Sequence, residues 1–369
     1  MKLERLTLHI VALPLVTPFV TAQGRLEKRH FLLLEAMVNG VTAWGECAAF
    51  RTPFYTSETI ETARHVLRDF LIPAIADAPV AHPAGVQTRT SWVRGHPMAK
   101  AALEMLFWDA WGKLRGQSLA QLLGAARLRV PVGVAVGLQP DLKALLHTVE
   151  TYRARGYRRI KLKIKPGYDA EPVAAVRRRF PDIALQVDAN AAYRRDTADA
   201  LRALDSLELL LIEQPLPEDD LLGHARLQAV LRTPLCLDES LDSVQRTAQA
   251  LEMDACRVVN LKAARVGGLS QALRIHALCQ ERNVPLWCGG MLESGLGRAA
   301  NLALAALPGF TLPGDISATD RYYRQDIIQQ PFVLAADGTL PVPQAPGLGV
   351  DVDRDALRRF SVHRETLPV

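Results

Sequence analysis

A regular interval between charged residues constrains the fold of this chain more than any other feature. Five short apolar runs recur between positions 159 and 262, and each run ends in a charged side chain. The charged ends are Lys163, Asp188, Glu213, Asp238 and Lys262, with spacings of 25, 25, 25 and 24 residues. A constant interval indicates a repeated structural unit, here a strand, a loop, a helix and a return loop.

The same alternation extends to both sides of the repeated region. A strand is predicted at 132–137, and two more are predicted at 285–290 and 310–312. The middle runs are apolar without alternation, which is typical of strands buried on both faces. Eight such units predict an α/β fold, a (β/α)8 barrel of the TIM type. A doubly wound parallel sheet is the rival fold, but the strand count and the charges at strand C-termini favour the barrel.

The two ends of the chain follow another pattern. Residues 1 to about 50 alternate as antiparallel strands, and helices are predicted from 57 to about 70, with Ser57 as the cap, and from 98 to about 114. After 331 the pattern of the barrel stops, and a hairpin is predicted around Asp337-Gly338. We therefore expect an α+β capping domain formed by 1–128 and the C-terminal segment 329–369, around a barrel at 129–328.

Composition and charge exclude several functions. The chain has 369 residues, of which 49% are hydrophobic, and a net charge of +5 that is spread along its length. Nothing resembles a nucleic-acid-binding arm, a membrane span or a signal peptide. The five cysteines show no paired spacing, which fits free thiols in a reducing compartment. We expect a cytoplasmic protein that acts on a small molecule, with neither nucleic acid nor membrane as partner.

Lysine is scarce in this chain, which has nine lysines and 35 arginines. Four of the nine lie at or just past predicted strand ends of the repeated region, namely Lys161, Lys163, Lys165 and Lys262. Arginine keeps its proton in proteins, whereas the pKa of lysine falls readily near other cations or on desolvation. Lysine at these positions therefore indicates proton chemistry.

Three carboxylates at neighbouring strand ends predict a metal site. Asp188, Glu213 and Asp238 would meet above the barrel mouth, where their mutual repulsion requires a cation. Ligation by oxygen alone favours Mg²⁺ first and Mn²⁺ or another divalent ion second. Helix capping or pairing with arginine explains any one of these acids, but explains all three poorly. Asn190 is interpreted as a ligand or metal contact, with an Asx-type loop contact as the alternative.

Two lysines flank the three acids along the chain. Around a closed barrel, Lys163 and Lys262 would face the metal from opposite sides; a pair of salt-bridging lysines is the structural alternative. A metal between two lysines suits removal of a proton next to a carboxylate, because the ion stabilises the enediolate that forms. Lys161 shares the face of Lys163, where it would lower the pKa of the base, act as an anion clamp, or do both.

With these residues in place, the chain resembles the enolase superfamily, muconate-lactonizing type, whose sites combine a lysine or histidine base with Mg²⁺. Longer stretches resemble one branch, the o-succinylbenzoate synthases and N-acylamino acid racemases. These stretches are 157–167, 260–268, 287–295 and 312–315. The resemblance covers essentially the whole chain and implies a homo-oligomeric enzyme.

The resemblance also implies a role for each matching residue. Asp188, Glu213 and Asp238 would hold Mg²⁺. In the synthase reaction, a dehydration in menaquinone biosynthesis, Lys163 would take the proton alpha to the carboxylate and return one to the departing hydroxyl, while Lys262 stabilises the enediolate. In racemisation of an N-acylamino acid, such as an N-succinylamino acid, the two lysines would act on opposite faces.

The resemblance further implies that loops at 19–24 and 50–55 close over the ligand. The substrate-binding side chains implied there and elsewhere are Phe19, Phe50, Tyr55, Met291, Leu292 and Tyr322. Ordinary packing between domains explains these residues equally well.

The sequence leaves several alternative activities open. Ala135 stands where racemase relatives often carry a hydroxyl group, which leaves the substrate detail open. Asp315 is followed by Ile316 and Ser317 rather than by the Asp-x-Asp pair of dipeptide epimerases, so we rank that activity low, and a cycloisomerase is another alternative. More distant alternatives are a Schiff-base lysine lyase and a non-catalytic barrel protein. The clustered acids argue against the lyase, and the complete set of two lysines and three acids argues against the non-catalytic barrel.

Overall fold

The computed structural model describes residues 1–22 and 24–369, which form a four-stranded antiparallel sheet, a seven-stranded parallel sheet and a two-stranded antiparallel sheet. The strands are β1 Leu3–Thr21, β2 Gly24–Val38, β3 Val41–Cys47, β4 Arg129–Pro131, β5 Gly133–Val136, β6 Arg159–Lys163, β7 Ala184–Asp188, β8 Ile212–Glu213, β9 Leu235–Leu237, β10 Val258–Leu261, β11 Leu286–Cys288, β12 Thr339–Pro341 and β13 Ser361–Leu367.

Helices lie between most of these strands. They are α1 Ile60–Val66, α2 Ile72–Ala76, α3 Gly85–Thr90, α4 Pro97–Arg115, α5 Leu119–Leu123, α6 Leu142–Ala154, α7 Ala170–Arg179, α8 Leu221–Val230, α9 Val244–Glu252, α10 Leu269–Glu281, α11 Gly295–Ala305, α12 Thr319–Tyr322 and α13 Arg354–Phe360. A π-helical turn, Leu67–Leu71, joins α1 to α2, and a 3₁₀ segment, Ala198–Ser206, takes the helix position between β7 and β8. In the described part of the chain, no helix is long and apolar enough to cross a membrane.

The N-terminal sheet has the strand order β13-β1-β2-β3. Its longest feature is the β1–β2 hairpin, which reaches from the sheet to the mouth of the barrel. The prediction that Ser57 caps the following helix is wrong. The helix begins after Thr59, because the Thr59 hydroxyl accepts from the backbone N–H of Thr62 at 3.3 Å in a capping box.

The parallel sheet contains seven strands in the order β11-β10-β9-β8-β7-β6-β5. The predicted barrel is thereby confirmed, but residues 310–315 do not form a regular eighth strand. This segment bridges both edges: Phe310 pairs with Leu286, and Gly314 pairs with Val132. Pro313 lies between them and has no backbone N–H to donate, which limits the ladder to isolated bridges. The strand C-termini thus surround one mouth.

The C-terminal segment contributes one strand, β12, to the two-stranded sheet and another, β13, to the N-terminal sheet. The hairpin predicted around Asp337-Gly338 is wrong as a two-stranded unit, since β12 pairs with β4 instead. A local turn forms there, with the N–H of Gly338 donating to the carbonyl of Ala335 at 2.9 Å and the N–H of Ala335 donating to the carbonyl of Thr339 at 3.0 Å. The last strand, β13, pairs antiparallel with β1 and completes the N-terminal sheet.

Candidate active site

A cavity of about 240 Å³ lies at the barrel mouth beneath the N-terminal domain. It brings together most of the residues singled out in the sequence. Those that line it are Phe19, Phe50, Tyr55, Lys161, Lys163, Asp188, Asn190, Asp238, Lys262, Met291, Leu292 and Tyr322. Glu213 does not line the cavity but is completely buried next to it. Gln23, in the predicted closing loop, lies outside the described residues.

The 25-residue interval places successive charged residues in register. Lys163 is directly opposite Asp188 in the parallel sheet, and Asp188 is opposite Glu213. Asp238 and Lys262 come one residue after the ends of β9 and β10. Because side chains at the same level of adjacent parallel strands are neighbours, the repeat in the sequence becomes an arc around the barrel mouth.

Lys161 lies at the centre of this arc, with its ammonium group between three carboxylates. Its Nζ is 2.8 Å from Glu213 Oε2, 2.5 Å from Asp315 Oδ2 and 3.2 Å from Asp188 Oδ2. Burial opposes the charged form, but the attraction of Asp315, Glu213 and Asp188 outweighs it and raises the pKa of Lys161 well above its ordinary value. Lys161 therefore stays protonated and is placed to hold anions.

Lys163 is held by Asp188 and Asn190. Its Nζ donates to Asp188 Oδ2 and to Asn190 Oδ1, both at 2.6 Å. Burial raises the pKa of Asp188, yet Lys163 and Lys161 together lower it to about 2. The Asn190 amide donates to Glu239 Oε1 at 3.1 Å, so Asn190 is held by Glu239 while it orients Lys163. Asn190 has a φ of 43°, in the left-handed region that asparagine tolerates better than most residues.

Lys262 reaches the acids from the other end of the arc. Its Nζ is 2.7 Å from Asp238 Oδ2 and 3.0 Å from the Tyr55 hydroxyl. Burial lowers its pKa, but Tyr55, Glu239 and Glu213 reverse the effect and raise the pKa of Lys262 above the ordinary value. Tyr55 comes from the N-terminal domain, so that domain contributes directly to the environment of the lysine.

The charges at the mouth are balanced. Five acids meet five bases, namely Asp188, Glu213, Asp238, Glu239 and Asp315, and Arg159, Lys161, Lys163, Lys262 and Arg265. In residues 1–22 and 24–369, no three His, Cys, Asp or Glu side chains stand together as a metal site. Lysine ammonium and arginine guanidinium groups contact the carboxylate oxygens that could otherwise bind a metal ion.

The ligand chemistry of this cluster nevertheless fits a hard divalent ion. Asp188, Glu213 and Asp238 are each at most 1% exposed and offer only oxygen atoms. A further buried oxygen, Oε2 of Glu239, has no hydrogen-bond partner among the residues described. A divalent ion would compete with the lysine ammonium groups for these oxygens.

Three residues of the cluster were not predicted. Asp315 binds both Lys161 and Arg159, and it follows the eighth strand position, so the strand-end rule that identified the other acids would have found it. Arg265 contacts Asp238 and the carbonyl of Asn260, the latter at 2.7 Å. Arg159 begins β6 and is completely buried. Both arginines lie in stretches that carry the family resemblance, 157–167 and 260–268, but the strand-end rule singles out neither of them.

The capping residues supply an apolar wall to the cavity. The ring of Phe19 lies 5.9 Å from Lys163 Nζ, and the rings of Phe50 and Tyr55 pack edge to face at 5.9 Å. Arg29 fixes this wall because its guanidinium lies 4.0 Å from the centre of the Phe50 ring and donates to the carbonyl of Met291 at 3.1 Å. The site therefore combines a polar floor from the barrel with an apolar roof from the N-terminal sheet.

A capped barrel with paired lysines and acids at its strand ends defines a class of acid–base enzyme. Comparison with known proteins gives the family. Residues 5–124 match the N-terminal domain of mandelate racemase / muconate lactonizing enzyme, and residues 144–356 match the enolase C-terminal domain-like model. The chain belongs to the mandelate racemase / muconate lactonizing enzyme family of the enolase superfamily.

Similar proteins carry two enzyme names. An o-succinylbenzoate synthase of Geobacillus stearothermophilus is 48% identical over 98% of this chain and 96% of its own length. An N-succinylamino acid racemase of Amycolatopsis sp. is 51% identical over 95% of both chains. A solved structure of an enolase-superfamily member from Listeria innocua superposes with a TM-score of 0.96 at 42% identity, covering 100% of this chain and 99% of that one. The relatives are thus a lyase and an isomerase, both enzymes.

Proposed function

We propose that this enzyme removes the proton alpha to a substrate carboxylate in an Mg²⁺-dependent reaction. Its activity would be that of an o-succinylbenzoate synthase, an N-succinylamino acid racemase, or both. One observation carries the proposal: Lys163 and Lys262 approach the same group of buried acids from the two ends of the arc. The two enzyme names of the relatives support it, because both reactions begin with the same proton abstraction.

Asp188, Glu213 and Asp238 would hold the Mg²⁺ ion. When bound, the ion would supply Lewis-acid stabilisation of the negative charge that develops on the substrate carboxylate. With Asp188 and Glu213 engaged as metal ligands, Lys161 would have donors free to hold the substrate carboxylate, and Asp315 would keep it protonated.

The proton steps belong to the two lysines. Lys163, oriented by Asn190, would accept the alpha proton, and Lys262 would face the opposite side of the same carbon. In the synthase reaction Lys163 would also return a proton to the departing hydroxyl, while Lys262 stays charged. In racemisation one lysine removes the proton and the other delivers one, so each lysine would have to act in both protonation states.

The alternatives predict different substrates. A dipeptide epimerase would need an acid free to hold an amino group, but Asp315 is occupied by Arg159 at 2.7 Å and by Lys161 at 2.5 Å. A cycloisomerase would act on a substrate without an N-acyl group. Comparing catalytic efficiency on the cyclohexadiene substrate of the synthase, on N-succinylamino acids and on a muconate separates these activities.

The decisive experiment uses two single variants and solvent deuterium. If each lysine serves one face, Lys163→Ala and Lys262→Ala should both lose racemisation, by about 10²–10⁴-fold. Each variant should still exchange the alpha proton of one enantiomer, and the two variants should prefer opposite enantiomers. Lys165→Ala is the matched control, because Lys165 is exposed two residues beyond Lys163. Full activity in either active-site variant would refute the proposal, and borohydride trapping of a lysine with substrate would favour a Schiff-base lyase instead.

A further inference from the structure

The cavity contains one cation that does not belong to the central cluster. Arg25, at the beginning of β2, lines the cavity together with the three lysines. The lysines contact Asp188, Glu213, Asp238 and Asp315, whereas Arg25 contacts none of these acids in the part of the chain that is described. The cavity therefore has two separate positive regions, one around the lysines and one at Arg25.

The position of Arg25 follows from the register of the hairpin. Arg25 is opposite Val20 in the β1–β2 pair, next to the pair formed by Phe19 and Leu26. Phe19 lies over Lys163, and both Phe19 and Leu26 line the cavity. The apolar side chains of Phe19 and Leu26 therefore line the same cavity as the lysines and Arg25.

Most of the guanidinium of Arg25 is available to a ligand. Its Nε donates to Glu27 Oε1 at 3.1 Å, and its terminal nitrogens have no partner among residues 1–22 and 24–369. The two side chains of this pair are 59% and 67% exposed. An exposed pair of this kind holds its partners weakly, so a carboxylate in the cavity can compete for Arg25.

The proposed substrates have the complementary charge pattern. An N-succinylamino acid has one carboxylate at the reacting carbon and a second at the end of the succinyl chain, separated by methylene groups. The synthase substrate likewise bears a succinyl chain that ends in a carboxylate. A planar guanidinium recognises a carboxylate through two parallel hydrogen bonds, which makes arginine suited to this role.

We infer that Arg25 binds the distal carboxylate of the substrate and selects acyl chains that end in a carboxylate. This inference rests on the proposed function and names the substrate class of the same site: dicarboxylates with an apolar spacer. Arg25 would bind substrate and transition state alike, because the distal carboxylate takes no part in the proton transfer. Its loss should therefore raise KM and leave kcat nearly unchanged.

The test compares an N-succinylamino acid with its N-succinamoyl analogue, in which a neutral amide replaces the distal carboxylate. The unaltered enzyme should prefer the succinyl substrate. Arg25→Gln should lower kcat/KM on that substrate by about 5-fold, the upper end of the range for an ion pair at an exposed side chain, and should change the succinamoyl value little. Arg25→Lys should retain part of the preference.

A matched control removes an equal charge elsewhere. Arg194 forms the same kind of exposed pair, with Asp196 two residues further on, and does not line this cavity, so Arg194→Gln should keep the succinyl preference. Equal losses on both substrates in Arg25→Gln, or an unchanged preference, would overturn the role of Arg25 while leaving the proposed function intact. If the unaltered enzyme turned over neither substrate, nor the synthase substrate, the proposed function and this inference would fall together.

Discussion

Replacing Glu46 by glutamine should remove a large pH dependence from the stability of the protein. Glu46 lies in β3 and accepts hydrogen bonds from the first turn of α11, at 3.0 Å from the N–H of Ser294 and 3.0 Å from the N–H of Gly297. Its side chain joins the N-terminal sheet to a helix of the barrel. Only 4% of the residue is exposed.

Two effects on the Glu46 carboxylate oppose each other. Burial disfavours the charged form, and the nearby Glu293 adds to this, whereas hydrogen bonds from Ser294 and Gly297 favour it. Burial is the largest of these effects and outweighs the hydrogen bonds. The net result raises the pKa of Glu46 from 4.5 to about 7.

The sign of the pH dependence follows from proton binding. Between pH 4.5 and about 7 the folded state binds more protons at Glu46 than the unfolded state does, so stability falls as pH rises. The shift from 4.5 to about 7 corresponds to a loss of about 3 kcal/mol across this window. The stabilisation by protonated Glu46 is fully present below the pKa that Glu46 has in the unfolded state. It is lost as the pH rises through the pKa that Glu46 has in the folded state.

Urea denaturation at several pH values between about 5 and 8 measures this loss. Glu46→Gln should flatten the decline by about 3 kcal/mol, whatever its stability at any single pH. Glu58 provides a comparison, because burial also raises its pKa to about 7, at the N-terminus of α4. Glu58→Gln should reduce the decline of stability with pH by the contribution of Glu58. The double variant should reduce it by the sum of the two contributions. If the free energy of unfolding of Glu46→Gln declined with pH as steeply as that of the unaltered protein, ionisation of buried Glu46 would not destabilise the fold.

Other predictions concern activity. A Cβ at Gly289 would lie 2.6 Å from Lys262 Cε, so Gly289→Ala should displace this lysine and lower kcat at least 10-fold; Gly85→Ala, whose Cβ would lie 3.6 Å from Val80, is the control. A Cβ at Gly137 would lie 2.7 Å from the carbonyl oxygen of Val20, so Gly137→Ala should push the hairpin away and raise KM in steady-state assays. EDTA should abolish activity and Mg²⁺ should restore it; activity that survives metal removal would contradict the assignment of Asp188, Glu213 and Asp238 as ligands.

The arrangement of the barrel was accessible from local spacing. A strand–helix unit of constant length places equivalent residues at equivalent heights, so the interval from Lys163 to Lys262 already contained the register that the sheet shows. Two predictions made from local sequence patterns, the helix cap and the C-terminal hairpin, were wrong. The helix cap at Thr59 rather than Ser57 depended on a capping box with Thr62, and the pairing of β12 with β4 depended on a segment 210 residues away.

Strand periodicity and the spacing of the repeat are local properties of the chain, so the charged residues at the strand ends can be identified without a structure. How these charges pair depends on contacts between distant segments. Lys161 was a candidate for lowering the pKa of the base, yet three acids from three other segments surround its ammonium group and raise its own pKa. The strand-end rule singles out neither Arg265 nor Arg25. Their environments arise from chain closure and from the register of the hairpin, and both depend on contacts between residues far apart in sequence.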